Sequence, residues 1–193
     1  MRTPIQLIVG LANPGPEYAN TRHNAGAWFV DAIVTQTRTS LSLEKRFHGF
    51  YGQCEVGEHN VRLLVPTTFM NLSGRAIQAV AHFYKIPPQA ILVAHDELDL
   101  APGTVRLKQG GGSGGHNGLK DTIACLGDDF ARLRIGIGHP GKSHDVVDYV
   151  LHRPSRDEQK LIEDSIIEAT AILPQIICGE GAKAMQQLHT KKV

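Results

Sequence analysis

The chain has 193 residues, 41% of them hydrophobic, which suits one domain of ordinary size with a full core. Its 20 Lys and Arg against 19 Asp and Glu leave a formal net charge of +1, which excludes a bulk polycation and confines any nucleic-acid contact to a local basic patch. The three cysteines, Cys54, Cys125 and Cys178, stand far apart with no CxxC or Cys/His cluster, and no stretch has transmembrane length or signal-peptide character. A disulfide framework and a structural zinc site are therefore disfavoured, and a reducing cytosol is the expected location.

Ile5 to Gly10 is a short β-branched run ended by glycine and reads as a buried strand. Leu11 to Arg22, with two prolines, two asparagines and Gly15, reads as a loop of fixed geometry. A helix is predicted from about Asn24 to Thr37, with Ala27, Phe29 or Val30, Ile33 and Val34 at helical spacing. Lys45 to Glu55 and Asn60 to Pro66 read as a hairpin turning at Gly57-Glu58-His59. Pro66 to Gly74 is a second loop, and a helix follows with Ile77, Val80, Ala81 and Tyr84 on one face.

Pro87-Pro88 stops that helix, and Ala90 to Ala94 is an apolar strand of the parallel-sheet kind, ending at His95-Asp96-Glu97-Leu98-Asp99. Thr104 to Leu107 is a short strand. Gly110 to Gly118 is a backbone too permissive to be rigid without a partner. Lys120 to Leu126 is a helix. Ala131 to Ile137 alternates basic and apolar residues, as a half-exposed strand does. Asp157 to Ile177 reads as one long amphipathic helix, with Ile162, Ile166, Ala169 and Leu173 on one face. Strands and helices alternate, so the expected fold is a single-domain α/β protein with a twisted, mixed, mostly parallel sheet flanked by helices.

His23 sits in a turn rich in Asn, Thr and Gly between the first strand and the first helix, the end of an open α/β sheet where ligands bind. Asp96 directly follows an apolar strand and needs only one contact to orient a histidine elsewhere. Asn13, Asn71 and Asn117 each lie in a loop near Gly or Pro. Loop asparagines usually serve turns; facing one site, they would make a neutral lining for peptide amides and a developing oxyanion.

Other patterns compete. Gly111-Gly112-Ser113-Gly114-Gly115 matches the G-x-S-x-G nucleophile elbow, but the flanking glycines cannot hold its strained turn. Gly110-Gly111-Gly112-Ser113-Gly114-Gly115 also matches G-x-G-x-x-G, without an acid at the end of the next strand. His95, Asp96, Glu97 and Asp99 resemble a metal cluster, but alternate residues at a strand end point apart.

With those residues in view, the chain resembles bacterial peptidyl-tRNA hydrolase. The resemblance is carried by Val9 through Gly15, Tyr18 through Gly26, Pro66 through Gly74, Ala94 through Asp99, Gly110 through Gly118 and Arg132 through Gly138, and runs from Leu7 to about Leu151. It implies a monomeric enzyme without a cofactor or catalytic metal. That enzyme cleaves the ester between a peptide and the tRNA ribose and recycles tRNA for translation. It also implies that His23 is the catalytic base and Asp96 its orienting partner. By the same resemblance Asn13, Met70, Asn71 and Asn117 line the peptide channel, with Tyr18 and His116 at its edge, and Lys108 and Arg134 clamp the tRNA 5′-phosphate. Two readings of other classes remain: a serine esterase using Ser113, and a non-catalytic RNA-binding module using Lys108, Arg132, Arg134 and Lys142.

Overall fold

The computed structural model describes residues 3–141 and 145–189. Leu7, Ile8 and Val9 are all fully buried, Ile8 in the core on one side of the sheet and its two neighbours in the core on the other. Such a strand needs cover on both faces, which is why the run is continuously apolar. The strands are β1 (Leu7–Gly10), β2 (Ser42–Glu44), β3 (Gly49–Val56), β4 (His59–Pro66), β5 (Ile91–Glu97), β6 (Val105–Gln109) and β7 (Ala131–Gly136). They form one seven-stranded sheet in the order β2-β3-β4-β1-β5-β7-β6. The central strands β4, β1, β5 and β7 run parallel, and antiparallel pairs close each edge.

The helices are α1 (Ala25–Thr37), α2 (Ser73–Tyr84), α3 (Asn117–Leu126), α4 (Val146–Val150), α5 (Arg156–Ala171), α6 (Leu173–Ile177) and α7 (Gly181–His189). One face is covered by α1 and α4–α7, which contribute Phe29, Ile33, Val150, Ile162, Ile166, Leu173 and Ala184 to the core. The other is covered by α2 and α3, through Ile77, Val80 and Leu119. The fold is thus an α/β domain with a mixed sheet between two helical layers.

The structure corrects several boundaries. Lys45–Phe47 is a 3-10 turn rather than strand, because His48 adopts φ 50° and breaks the extended run. The strand read as ending at Ala94 continues to Glu97, so His95 and Asp96 lie within it. The long C-terminal helix is two helices, α5 and α6. Pro174 has no N–H to continue the helical ladder, and the chain re-aims at Ile172. The strand Ala131–Gly136 is not half-exposed: Arg132 is 3% exposed, and only Arg134 is partly open. Leu107, Leu133 and Ile135 do face the core, as their alternation suggests.

Candidate active site

Two glycines seat the His23 turn on the sheet. A Cβ on Gly26 would lie 2.3 Å from the Ala94 carbonyl oxygen and 2.6 Å from the Leu11 nitrogen, and one on Gly10 would lie 2.4 Å from the Gly26 carbonyl oxygen. Only glycine lets the start of α1 press this closely on the carboxyl ends of β1 and β5. The residues just before it, Arg22–Asn24, form a 3-10 turn. At three residues per turn, consecutive side chains leave about 120° apart, so Arg22, His23 and Asn24 reach three different walls.

His23 reaches Asp96. Its Nδ1 lies 2.9 Å from Oδ1 and 3.1 Å from Oδ2. An ionised carboxylate only accepts, so Nδ1 carries the proton and donates it. The neutral ring then keeps a lone pair on Nε2, which no group among the described residues engages. Burial by itself would lower the His23 pKa, but the Asp96 charge and hydrogen bond outweigh it, and the net shift is upward from 6.5. Asp96 is 4% exposed. Burial would raise its pKa, yet the His116 and His23 rings hold it well below the usual carboxylate range.

His116 was expected at the edge of the site and lies inside it. Its Nε2 is 2.9 Å from Asp96 Oδ1. Its Nδ1 caps α3 by accepting the N–H groups of Gly118 and Leu119 at 3.1 and 3.3 Å. With Nδ1 accepting, the proton must sit on Nε2, so His116 is a neutral donor to Asp96. The His23 and His116 rings are 4.8 Å apart, and the His95 ring packs edge-on to His116 at 5.2 Å. His95 Nδ1 donates to the Asp96 carbonyl oxygen at 2.7 Å, and burial, reinforced by His116, pushes its pKa down to about 3.

The ligand atoms of His23, Asp96 and His116 all lie within 4.8 Å of one another, compact enough to suggest a metal site. The tautomers argue against one. His116 presents an N–H where a metal needs a lone pair, leaving two donors where catalytic zinc takes three from protein.

The cleft around this group has a volume of about 740 Å³ and is lined by Asn13, Met70, Asn71, His95, Ser113 through Asn117, Val146, Val147, Val150 and Leu151, among others. That volume suits a ligand of drug-like or dipeptide size. The loop after β1 and the 3-10 turn Met70–Leu72 are joined through Asn13, whose Oδ1 accepts the Met70 N–H at 2.8 Å, leaving Nδ2 to donate. Asn24 fixes Asn13 in turn: its Oδ1 accepts the Asn13 N–H at 2.9 Å and its Nδ2 donates to the Asn13 carbonyl at 3.0 Å. Met70 is buried, with its sulfur against Gly118. Asn71 and Asn117 are exposed side chains of the lining. The structure therefore brings all three predicted amides to one cleft. Tyr18 does not line it; its carbonyl accepts from Thr21 in the preceding turn.

The glycine stretch has a partner that periodicity hid. The guanidinium of Arg132 stacks 4.7 Å over Phe130 and donates to the carbonyls of Gly111 and Gly112. This makes Arg132 a poor surface cation. Arg106, on the same face, donates to the Leu188 carbonyl at 2.8 Å. Arg134 pairs with Glu97 at 2.9 Å and stays 25% exposed. Lys108 is exposed, sits opposite Arg132 in the β6/β7 register and makes no ion pair among the described residues. Ser113 lines the cleft, but among the described residues its hydroxyl has no imidazole partner, and no strand leads directly into it. Lys142 lies outside the described residues.

Sequence reasoning missed Asn24, Arg22 and the apolar wall of α4. Asn24 adjoins His23 and could have been read with it. Val146-Val147 gave a signal too short to separate from a loop.

A buried carboxylate holding a histidine at the carboxyl end of a parallel sheet, in an amide-lined cleft, is the arrangement of a hydrolytic α/β enzyme. The family model for peptidyl-tRNA hydrolase matches residues 7–193. The peptidyl-tRNA hydrolase of Tolumonas auensis is 54% identical over 194 residues, covering 100% of this chain and 98% of its own. That of Pseudomonas putida strain GB-1 is 55% identical over 192 residues, covering 98% and 99%. Among solved structures, an Arg119Gln mutant of the peptidyl-tRNA hydrolase from Acinetobacter baumannii superposes with a TM-score of 0.97 at 47% identity, covering 100% of this chain and 98% of that one. The chain belongs to the peptidyl-tRNA hydrolase family.

Proposed function

We propose that this enzyme hydrolyses the ester between a peptide and the ribose of tRNA, with His23 as general base, acting as a monomer in the cytosol. The observation that carries this reading is the contact between His23 Nδ1 and Asp96, which assigns the ring proton to Nδ1 and leaves Nε2 as an acceptor that no group among the described residues engages. Water bonded to Nε2 attacks the ester carbonyl carbon while its proton passes to the ring. Asp96 stabilises the imidazolium, and His116 keeps Asp96 ionised and in place. The tetrahedral oxyanion takes hydrogen bonds from cleft amides, for which Nδ2 of Asn13 and the side chains of Asn71 and Asn117 are the candidates. Collapse breaks the bond to the ribose oxygen, which recovers the proton from His23. The products are a peptide carboxylate and tRNA with its terminal hydroxyl restored.

Met70 lines the cleft with the amides, and backbone bonds of Tyr18 to Gly15 and Thr21 close the turns between Asn13 and His23. Amides and apolar walls suit a peptide of any sequence, since they bind backbone rather than particular side chains. Hydrolysis of N-acetyl-aminoacyl-tRNA tests the activity directly; a well-folded protein with no turnover would refute it.

The mechanism needs no metal. Activity is expected to survive exhaustive chelation with EDTA, on a substrate whose own folding does not need magnesium. A loss restored by zinc alone would contradict it.

Lys108 and Arg134 are proposed to bind a tRNA phosphate remote from the ester. Phosphate contacts position a nucleic acid without reading its sequence; with Arg106 and Arg132 bonded to carbonyls, Lys108 and Arg134, which stays partly open beside Glu97, are the accessible cations of this face among the described residues. Changing both to alanine is expected to weaken binding of full-length peptidyl-tRNA and flatten its salt dependence by roughly one unit of slope per lost contact. Hydrolysis of a peptidyl-adenosine fragment should barely change. Equal impairment of fragment and full tRNA would place these residues in the chemical site or the fold instead.

A further inference from the structure

Arg22 stands next to His23 and plays no part in the chemistry above. It is 7% exposed. Its Nη1 donates to the carbonyls of Tyr149, His152 and Arg153 at 3.2, 3.2 and 3.0 Å. Its Nη2 pairs with Glu158 Oε2 at 3.0 Å. Its guanidinium lies 4.0 Å over the Tyr149 ring, and its backbone N–H donates to the His152 carbonyl at 3.1 Å. The carbonyls it gathers belong to the end of α4 and the residues just beyond, where helical carbonyls lack intrahelical partners and a cation is favoured.

Glu158 completes the joint. It also accepts the Ser155 N–H at 2.8 Å in the capping box that starts α5. Burial would raise its pKa, but the Ser155 bonds and Arg22 hold it below the usual value. One guanidinium therefore ties the His23 turn to the end of α4 and the start of α5.

The helix it holds forms one wall of the cleft. Val146, Val147 and Val150 of α4, with Leu151, line the same cleft as Asn13 and His23. A helix of five residues has no stability of its own, so its position is set by tertiary contacts. The 3-10 turn is the common root of two parts of the lining: Asn24 fixes Asn13 and, through it, Met70, while Arg22 fixes the end of α4. We infer that Arg22 is a positioning residue that sets the distance between the α4 wall and His23, and with it the fit of the peptide part of the substrate. This rests on the reading of the cleft given under Proposed function.

The test compares Arg22→Met and Arg22→Lys with the wild type on N-acetyl-aminoacyl-tRNA, with melting temperatures measured alongside. Met cannot bond the carbonyls; Lys can still reach some of them. For Arg22→Met, KM is expected to rise about 10-fold or more, while kcat stays within about 3-fold, the pattern of lost ground-state binding. The acid limb of the pH profile should not move, because the His23–Asp96–His116 group is intact. Arg22→Lys should give an intermediate KM. Unchanged KM in both variants with only a lower melting temperature would make Arg22 merely structural and overturn the proposal. A displaced acid limb would overturn it too, by placing Arg22 in the proton network. If Arg22→Met does not fold, Arg22→Lys decides alone: a raised KM supports the strut and a wild-type KM refutes it. Failure of the catalytic reading would show separately, as full activity in His23→Ala.

Discussion

Replacing His23 by alanine is expected to lower kcat by about 10²–10⁴-fold, the usual cost of losing a general base, and by more if the ring also holds the attacking water. The fold should survive. The backbone of the turn is fixed by groups that the substitution leaves alone: the close approach of Gly26 to Ala94, the Asn24–Asn13 bonds and the Arg22 contacts with the residues around 150. What the variant loses is the acceptor in the cleft. What it keeps is the amide lining, so KM should change less than kcat. Steady-state hydrolysis of N-acetyl-aminoacyl-tRNA, with circular dichroism to verify folding, checks this. Near-normal turnover by a well-folded variant would remove His23 from the mechanism.

Asp96→Asn is expected to cost less, on the order of 10²-fold, at the low end of the general-base range, and to alter the pH profile in a definite direction. Asp96 accepts from both His23 and His116 through Oδ1, and Oδ2 also faces His23 Nδ1 at 3.1 Å. An amide can offer an oxygen to the first position only. Its NH₂ then meets the His23 Nδ1–H donor to donor, which favours the tautomer with the proton on Nε2, where it cannot serve as a base. The charge that raises the His23 pKa is also gone. In the wild type that pKa is above 6.5, so the base form, and activity with it, is gained as pH rises through a value above 6.5. In Asp96→Asn the acid limb should move to lower pH while the plateau falls. A loss equal to that of His23→Ala would make Asp96 more than an orienting group.

The sequence exposed this site unevenly, for physical reasons. His23 and Asp96 were legible because each stands close to a junction of elements, His23 just before α1 and Asp96 one residue from the end of β5, where a side chain faces the ligand end of a sheet. The three asparagines were legible by their nearness to Gly or Pro between elements, although Asn71 lies in a 3-10 turn and Asn117 opens α3. That His116 joins them was not, because its contact with Asp96 spans 20 residues and depends on how the glycine loop folds back. Arg132 misled for a related reason. Alternation of Arg with Leu and Ile looks like a half-exposed strand, but a guanidinium can be buried when carbonyls accept from it, as those of Gly111 and Gly112 do. The break at Ile172 was signalled by Pro174 and outweighed by the amphipathic spacing from Ile162 to Leu173. The α/β alternation and the buried central strands followed from apolar runs too continuous for a one-sided sheet.

The central claim is that His23 offers a free Nε2 and a raised pKa, and the imidazole nitrogens can be asked directly. Titration by ¹⁵N NMR of histidine-labelled protein, assigned by comparison with His23→Ala and His116→Ala, reports both tautomer and pKa. The structure predicts that neutral His23 carries its proton on Nδ1 and His116 on Nε2. It further predicts that His23 titrates above 6.5, at the same pH as the acid limb of kcat/KM. A neutral His23 protonated on Nε2, or an acid limb that follows a different group, would contradict the account.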